Sequence, residues 1–405
     1  MKKIKTLMEN KMLKDGILSI GAKVIFFVVL KFLVEPWMNI RMGDAGFGHY
    51  VVLLGYISVF AYSCGEALNH IRVLNQESDE KRAAEYRIII FTEAILSFLI
   101  LVSYSIFYEK ESLTESVFFG LAAVFMMLRL YSECMFRIEI NYKRILISSI
   151  IMAGGYLVGY FFYTKGAPWY LIIVVGEASA VIYAAIEGKA FTALHKVSEA
   201  FSKTIKNAAT LTSSYLISYI LIYMDRFLVS FLLGEELVST YYIATFYGKC
   251  VALIIPPITA VLLSNISKGI IPLDKKMVNK VVSASLGAIA FFFLAGIPAS
   301  RIIIYLLYRS SYQAALPIMD IGNLGQIIYY SCSIVNMMAI RLCDMKLQVK
   351  VETTYAISYI LFAFVGAKFY GLFGLAAGTL LANCLRFLML TIPVYGALRK
   401  RGETF

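Results

Sequence analysis

Apolar windows of about 20 residues, the length that crosses a bilayer as a helix, recur along the whole of this chain. Twelve are readable, at 13–34, 46–68, 87–108, 113–134, 145–164, 169–187, 208–233, 241–266, 278–306, 317–340, 351–369 and 372–396. In hydrocarbon every backbone amide and carbonyl must pair within its own segment, so such a chain folds as a bundle of helices. Composition agrees: 60% of the residues are hydrophobic and 16% charged, against about 25% charged in a soluble domain. The expected fold is an all-α polytopic membrane protein, with twelve transmembrane helices in two pseudo-symmetric six-helix lobes around a central cavity. The first apolar segment is long and lacks a small-residue cleavage site, so it reads as a span rather than a signal peptide.

Charge sets the expected orientation. Of the 38 Lys and Arg residues, twenty-six fall in the N-terminal segment and the even-numbered connections or at the window edges beside them, five in or beside the odd-numbered ones and seven deeper inside the windows. Positive residues stay on the cytoplasmic side, so both termini are expected in the cytoplasm. The same bias accounts for most of the net charge of +12 and argues against nucleic acid as a partner. The polar stretch between the sixth and seventh windows alternates Phe191, Leu194, Val197 and Phe201 with Lys189, Lys196 and Lys203. It reads as an amphipathic cytoplasmic linker over 188–207, between an N-terminal lobe at 1–187 and a C-terminal lobe at 208–405.

The two halves carry a faint repeat at an offset of 191. Gly43, Asp44, Tyr50, Tyr56 and Ala61 correspond to Gly234, Glu235, Tyr241, Tyr247 and Ala252, and Gly65-Glu66 to Pro256-Pro257. Paired helix interruptions in matching positions point to the binding site of a transporter.

Seven cations lie deeper inside the windows: Lys23, Lys31, Arg129, Arg226, Lys249, Arg301 and Arg386. Each costs roughly 2.5–3.5 kcal/mol to insert, so together they suggest a cationic chamber that holds an anion. Lys23, Phe27 and Lys31 share a helix face, as do Tyr215, Tyr219 and Arg226, and Tyr242 precedes Lys249 by two turns. The candidate anion-binding residues are Lys23, Lys31, Arg226, Lys249 and Arg386. Tyr215, Tyr219 and Tyr242 are the candidate aromatic contacts. Arg129 and Arg301 lie near a membrane face, where snorkelling is the simpler expectation. Among the acids, Glu133 is one turn from Arg129 and expected to pair with it. Glu66, Glu93 and Asp225 have no partner at helical spacing and are candidates for ion coupling, with a proton or sodium ion as the ion; Glu177 is a further buried acid.

Nothing in the sequence suggests an enzyme, a cofactor or a metal centre. GxxxxGK[ST], GxSxG, HExxH and CxxC are all missing, and the odd-numbered connections are too short for the large outer loop of a polysaccharide polymerase. Cys64, Cys134, Cys250, Cys332, Cys343 and Cys384 read as small hydrophobes.

Three motifs add a resemblance. The run Tyr223-Met224-Asp225-Arg226-Phe227-Leu228-Val229-Ser230-Phe231-Leu232-Leu233-Gly234 with Tyr241-Tyr242-Ile243-Ala244 resembles the seventh-helix signature of Wzx-type bacterial polysaccharide flippases. These belong to the multidrug/oligosaccharidyl-lipid/polysaccharide exporter superfamily. Met42-Gly43-Asp44-Ala45-Gly46-Phe47-Gly48-His49-Tyr50 is similar to the family's first loop, and Gly371-Leu372-Phe373-Gly374-Leu375-Ala376-Ala377-Gly378 to the opening of its last helix. The resemblance implies a flippase of the bacterial cytoplasmic membrane. Its substrate would be an undecaprenyl-diphosphate-linked oligosaccharide, a unit of O-antigen, capsule or a related polymer. Transport would run by alternating access, driven by an ion gradient or the membrane potential, with membrane lipids and a polysaccharide polymerase complex as partners. A cation-coupled drug exporter of the same superfamily is the alternative, with a membrane polymerase behind it.

Overall fold

The computed structural model describes residues 16, 18, 20–74, 79–191, 197–198, 201–256, 258–259, 262 and 274–400. No strand occurs among them. Residues 20–28 are helical and pass through a π-helical stretch, Val29–Val34, into α1 (Glu35–Leu74). Next come α2 (Asp79–Tyr104), which ends in a π stretch at Ser105–Glu109, α3 (Leu113–Ile138), α4 (Tyr142–Thr164) and α5 (Tyr170–Glu187). The second half holds α6 (Phe201–Leu233), α7 (Glu235–Ala244), α8 (Phe246–Cys250), a 3₁₀ turn at Val251–Leu253, α9 (Lys275–Leu307), α10 (Tyr312–Leu342) and α11 (Met345–Lys400).

Among the described residues, seven helices are long and apolar enough to cross a membrane. The chain is a multi-pass, all-helical membrane protein. From 46–68 onward, each apolar window coincides with helix, apart from 241–266. Two windows share α11, which turns at Gly371 (φ 58°, ψ −143°). The window at 241–266 is segmented: α7 stops at Thr245, α8 lasts five residues, and the 3₁₀ turn follows. Pro257 and most of the residues after it lie outside the described residues.

The offset of 191 is visible in the backbone. Gly43 (φ 72°, ψ 175°) and Gly234 (φ 96°, ψ 163°) both break a helix in a region of backbone space open almost only to glycine. Tyr50 and Tyr241, also matched, are both buried. Gly65-Glu66 departs from the expectation of an interrupted helix: it stays helical, and a Cβ at Gly65 would lie 2.5 Å from the Met127 carbonyl oxygen. That glycine lets α1 approach α3 closely, as small residues do where helices pack without a hydrophobic driving force.

The chain divides into two compact units, Met1–Trp37 with Leu53–Tyr223, and Met38–Val52 with Met224–Phe405. Residues 38–52 therefore group with the second unit and residues 208–223 with the first. In the second unit the two matched turns meet. Asp44 Oδ1 accepts from Ser311 Oγ at 2.5 Å and Asn39 Nδ2 at 3.1 Å, and His49 Nδ1 lies 2.8 Å from Glu235 Oε1. The same unit is filled by an apolar cluster of Val278, Val281, Val335, Met338, Leu390 and Val394 from α9, α10 and α11.

In the linker, Leu194, His195 and Lys196 lie outside the described residues. Around them, residues 189–191 form a turn, Val197–Ser198 is irregular and α6 begins at Phe201. The segment is anchored to the first unit. Buried Glu85 on α2 accepts from the Ser198 backbone amide at 2.9 Å and the Thr204 hydroxyl at 2.6 Å, and Arg87 donates to the Phe191 carbonyl at 3.1 Å.

Candidate functional site

In the second unit, the end of α6, α7 and the short α8 bring four of the sequence-selected residues together. Lys249 on α8 places its Nζ 3.1 Å from Asp225 Oδ2 and 5.1 Å from the Tyr242 ring centroid. The Arg226 guanidinium sits over the same ring at 5.2 Å and donates to the Val51 carbonyl at 3.3 Å. Asp225 Oδ1 accepts the Arg226 backbone amide at 2.9 Å. Asp225, Arg226 and Tyr242 are buried, while Lys249 keeps a fifth of its side chain accessible (20%). The two-turn spacing of Tyr242 and Lys249 does put cation and ring together, even though the helix breaks between them. Asp225 has no partner at helical spacing because Lys249 lies 24 residues away, beyond the Gly234 turn.

Arg386 on α11 occupies a second cluster of the same unit. Its guanidinium is 4.7 Å from the Tyr355 ring centroid and 5.1 Å from that of Tyr329, and Nη2 is 2.7 Å from Glu352 Oε1. Its Nε is buried without an acceptor. Tyr355 in turn donates to Asn383 Oδ1 at 3.0 Å, and Asn383 donates to the Gly325 carbonyl at 2.9 Å. Such a box holds a planar guanidinium by stacking as well as charge.

The first unit holds the remaining residues. Lys31 lies in the π stretch, which interrupts the four-residue spacing from Lys23, and reaches Glu35 at 2.5 Å. Lys23 is exposed and has no ion-pair partner among the described residues. Tyr219 donates to Glu66 Oε2, and Tyr215 meets His70 Nδ1. Their hydroxyls are thus committed to side chains of α1, and they belong to the unit that does not contain Arg226. Glu93 Oε1 accepts from Thr212 at 3.0 Å, while Oε2 is buried with no hydrogen bond.

Two cations expected to snorkel are paired instead. Arg129 is buried, with Nε 2.5 Å from Glu177 Oε2 and Nη1 2.9 Å from Glu133 Oε1. Tyr156 donates to the other Glu177 oxygen at 2.7 Å, and Arg137 reaches Glu133 at 3.2 Å. The Glu133 bond was legible as an i, i+4 pair, whereas Glu177 arrives from α5, 48 residues on. Arg301 makes a two-pronged contact with Asp320 at 2.9 and 2.8 Å. Both are acid-paired staples between helices.

Known proteins give a matching fold and no sequence relative. No family model matches the chain, and no curated protein matches it by sequence. A structure of the lipid II flippase MurJ in an inward closed conformation aligns over 96% of this chain and 87% of that one, with TM-score 0.67 and 17% identity. This chain has the fold of the MOP-superfamily transporters. An inward-facing multidrug resistance MATE family transporter of that superfamily aligns over 95% of this chain and 96% of its own, with TM-score 0.62 and 13% identity. The Vibrio cholerae MATE transporter VcmN in its bent form aligns over 98% of both chains, with TM-score 0.61 and 12% identity. The likeness is one of fold at these identities. It spans both flippases and drug exporters.

Proposed function

We propose that this protein is a flippase that carries an undecaprenyl-diphosphate-linked oligosaccharide across the bacterial cytoplasmic membrane, from the inner to the outer leaflet. The observation that carries the reading is Lys249. It sits within a membrane window on a five-residue piece of helix, between a break at Thr245 and a 3₁₀ turn, and is held by one carboxylate and one tyrosine ring. Discontinuous helices at membrane depth mark transport sites, because their free backbone groups must face protein or water. A diphosphate is a concentrated anion that needs cations in place of its water, and an ammonium shared with Asp225 can be released to it. Lys23, Lys31, Arg226, Lys249 and Arg386 are the proposed headgroup contacts. Tyr242 is the ring best placed beside them, with Tyr215 and Tyr219 the other aromatic candidates. Glu66, Glu93 and Asp225 are the candidates for ion coupling. The membrane potential, about 2.3 kcal/mol per charge per 100 mV, would push the anion outward. Both termini are proposed to be cytoplasmic, and a polysaccharide polymerase complex is the proposed partner.

One observation favours the drug-exporter reading. Glu66 and Glu93 carry no cation partner among the described residues, as expected of a site that accepts a cationic drug or its coupling ion. Deleting the gene in its own bacterium separates the two. Loss of one surface polysaccharide, with its lipid-linked unit accumulating in the inner leaflet, supports the flippase. Unchanged glycans with altered drug sensitivity support the exporter.

A further inference from the structure

Four side chains of the first unit form a two-rung ladder. Glu66 and His70 stand one helical turn apart on α1, and Tyr219 and Tyr215 one turn apart on α6. Tyr219 donates to Glu66 Oε2, and the Tyr215 hydroxyl meets His70 Nδ1. The rings support the rungs: Tyr215 lies edge-on to His70 with centroids 5.7 Å apart, and Tyr62 is 5.1 Å from Tyr219. The sequence context of His70 gives no hint of its partner, which lies 145 residues away.

Two properties make the ladder suited to a proton. Each rung keeps its hydrogen bond when it gains one. Ionised Glu66 accepts from the Tyr219 hydroxyl, and protonated Glu66 donates to the phenol oxygen. Neutral His70 accepts from Tyr215 at Nδ1, and the imidazolium donates there. One proton therefore has two addresses, four residues or about 6 Å apart along the helix. On His70 it forms an i, i+4 ion pair with Glu66, and on Glu66 it leaves both groups neutral. In addition, neither group has a cation partner among the described residues. The surrounding charges are committed elsewhere: Arg137 of α3 reaches Glu133 and Asn69, and Glu93 of α2 takes Thr212 of α6. The acids around Arg129 are the contrast, since protonating Glu177 or Glu133 breaks an ion pair at 2.5 or 2.9 Å. A metal cation is a poorer occupant, because it needs several oxygen lone pairs. No group of three or more His, Cys, Asp or Glu that could hold a metal ion occurs among the described residues.

We propose that Glu66 and His70, bridged to Tyr219 and Tyr215, form the proton-binding site through which an ion gradient acts on this protein. The inference rests on the transporter reading but not on which substrate is carried. The ladder ties α1 to α6, and each helix runs on to a glycine break, Gly43 in one and Gly234 in the other. A change in rung polarity thus acts on the two helices that carry the matched breaks.

The test needs no substrate. The intact protein carrying Glu93→Gln, which removes the other buried carboxyl bonded to α6, is titrated with acid in lipid nanodiscs while the carboxylic C=O stretch is followed by infrared difference spectroscopy. An acid-induced band is expected in the Glu93→Gln protein and is expected to be lost when Glu66→Gln is added. His70→Gln should move the midpoint of the band while retaining it. Glutamine still accepts from Tyr219, so Glu66→Gln is compatible with the fold. An acid-induced band unchanged on adding Glu66→Gln to the Glu93→Gln protein overturns the proposal. So does a band that sodium chloride, replacing choline chloride at fixed pH, removes in the wild type, because the site would then take a metal cation. Unchanged glycans in the deletion strain would refute the flippase and leave this result standing.

Discussion

Lys249 Nζ lies 3.1 Å from Asp225 Oδ2, joining a short helix fragment to α6 through a carboxylate that is 2% exposed. Removing one partner of a buried pair leaves the other charge uncompensated, at a cost of about 3–5 kcal/mol. Lys249→Ala is therefore expected to lower thermal stability in detergent as well as transport. The double variant Lys249→Gln with Asp225→Asn should recover most of the stability while staying inactive in surface-glycan export. Full export by the double variant would remove Lys249 from the substrate path.

Arg386 depends on shape as much as charge. Its guanidinium stacks on Tyr329 and Tyr355, contacts worth about 0.5–2 kcal/mol each. Arg386→Lys should keep the Glu352 pair, lose the planar stacking and give reduced but measurable export; Arg386→Ala should give none. Equal export by both variants would show that charge at this position is irrelevant.

The Arg129 cluster is expected to be structural. Arg129→Met strands Glu177, which is buried and bonded to Tyr156, and should cost about 3–5 kcal/mol. The readout is a fall in folded protein recovered from membranes. Arg129→Met with Glu177→Met, which removes both charges, should recover much of it.

Gly48 fixes the approach of the first matched turn to the second. A Cβ there would lie 1.8 Å from the Glu235 carbonyl oxygen and 3.3 Å from the Ser239 nitrogen. Both are backbone atoms, so Gly48→Ala must move a helix and should cost about 1–3 kcal/mol. Gly154→Ala, whose Cβ meets nothing within 4 Å, should be neutral or stabilising by about 0.5–1 kcal/mol. Thermal unfolding of the two variants side by side checks the contrast.

The candidate site was legible wherever partners were close in sequence. Tyr242 with Lys249 and Arg129 with Glu133 follow from helical spacing, and both contacts form. Lys31 is also held by a residue one turn away, Glu35, an acid just past the end of the first apolar window. Tyr215 and Tyr219 share a face with Arg226 on α6, yet their hydroxyls reach His70 and Glu66, because the neighbours of a helix face are set by packing and not by that helix's own periodicity.

By itself the sequence determined that this chain crosses the membrane many times as helices, that its odd connections are tight, and that its halves repeat at Gly43 and Gly234. Those properties follow from local constraints: apolar length, backbone pairing in lipid and the φ that only glycine adopts freely. Tertiary structure decided the fate of each buried charge. Asp225 found Lys249, Arg386 found Glu352, Arg129 found Glu177, and Glu66 and His70 found two tyrosines. A charge in a low-dielectric interior takes whatever partner packing brings within hydrogen-bond reach, and for helices joined by distant connections no spacing along the chain encodes that choice.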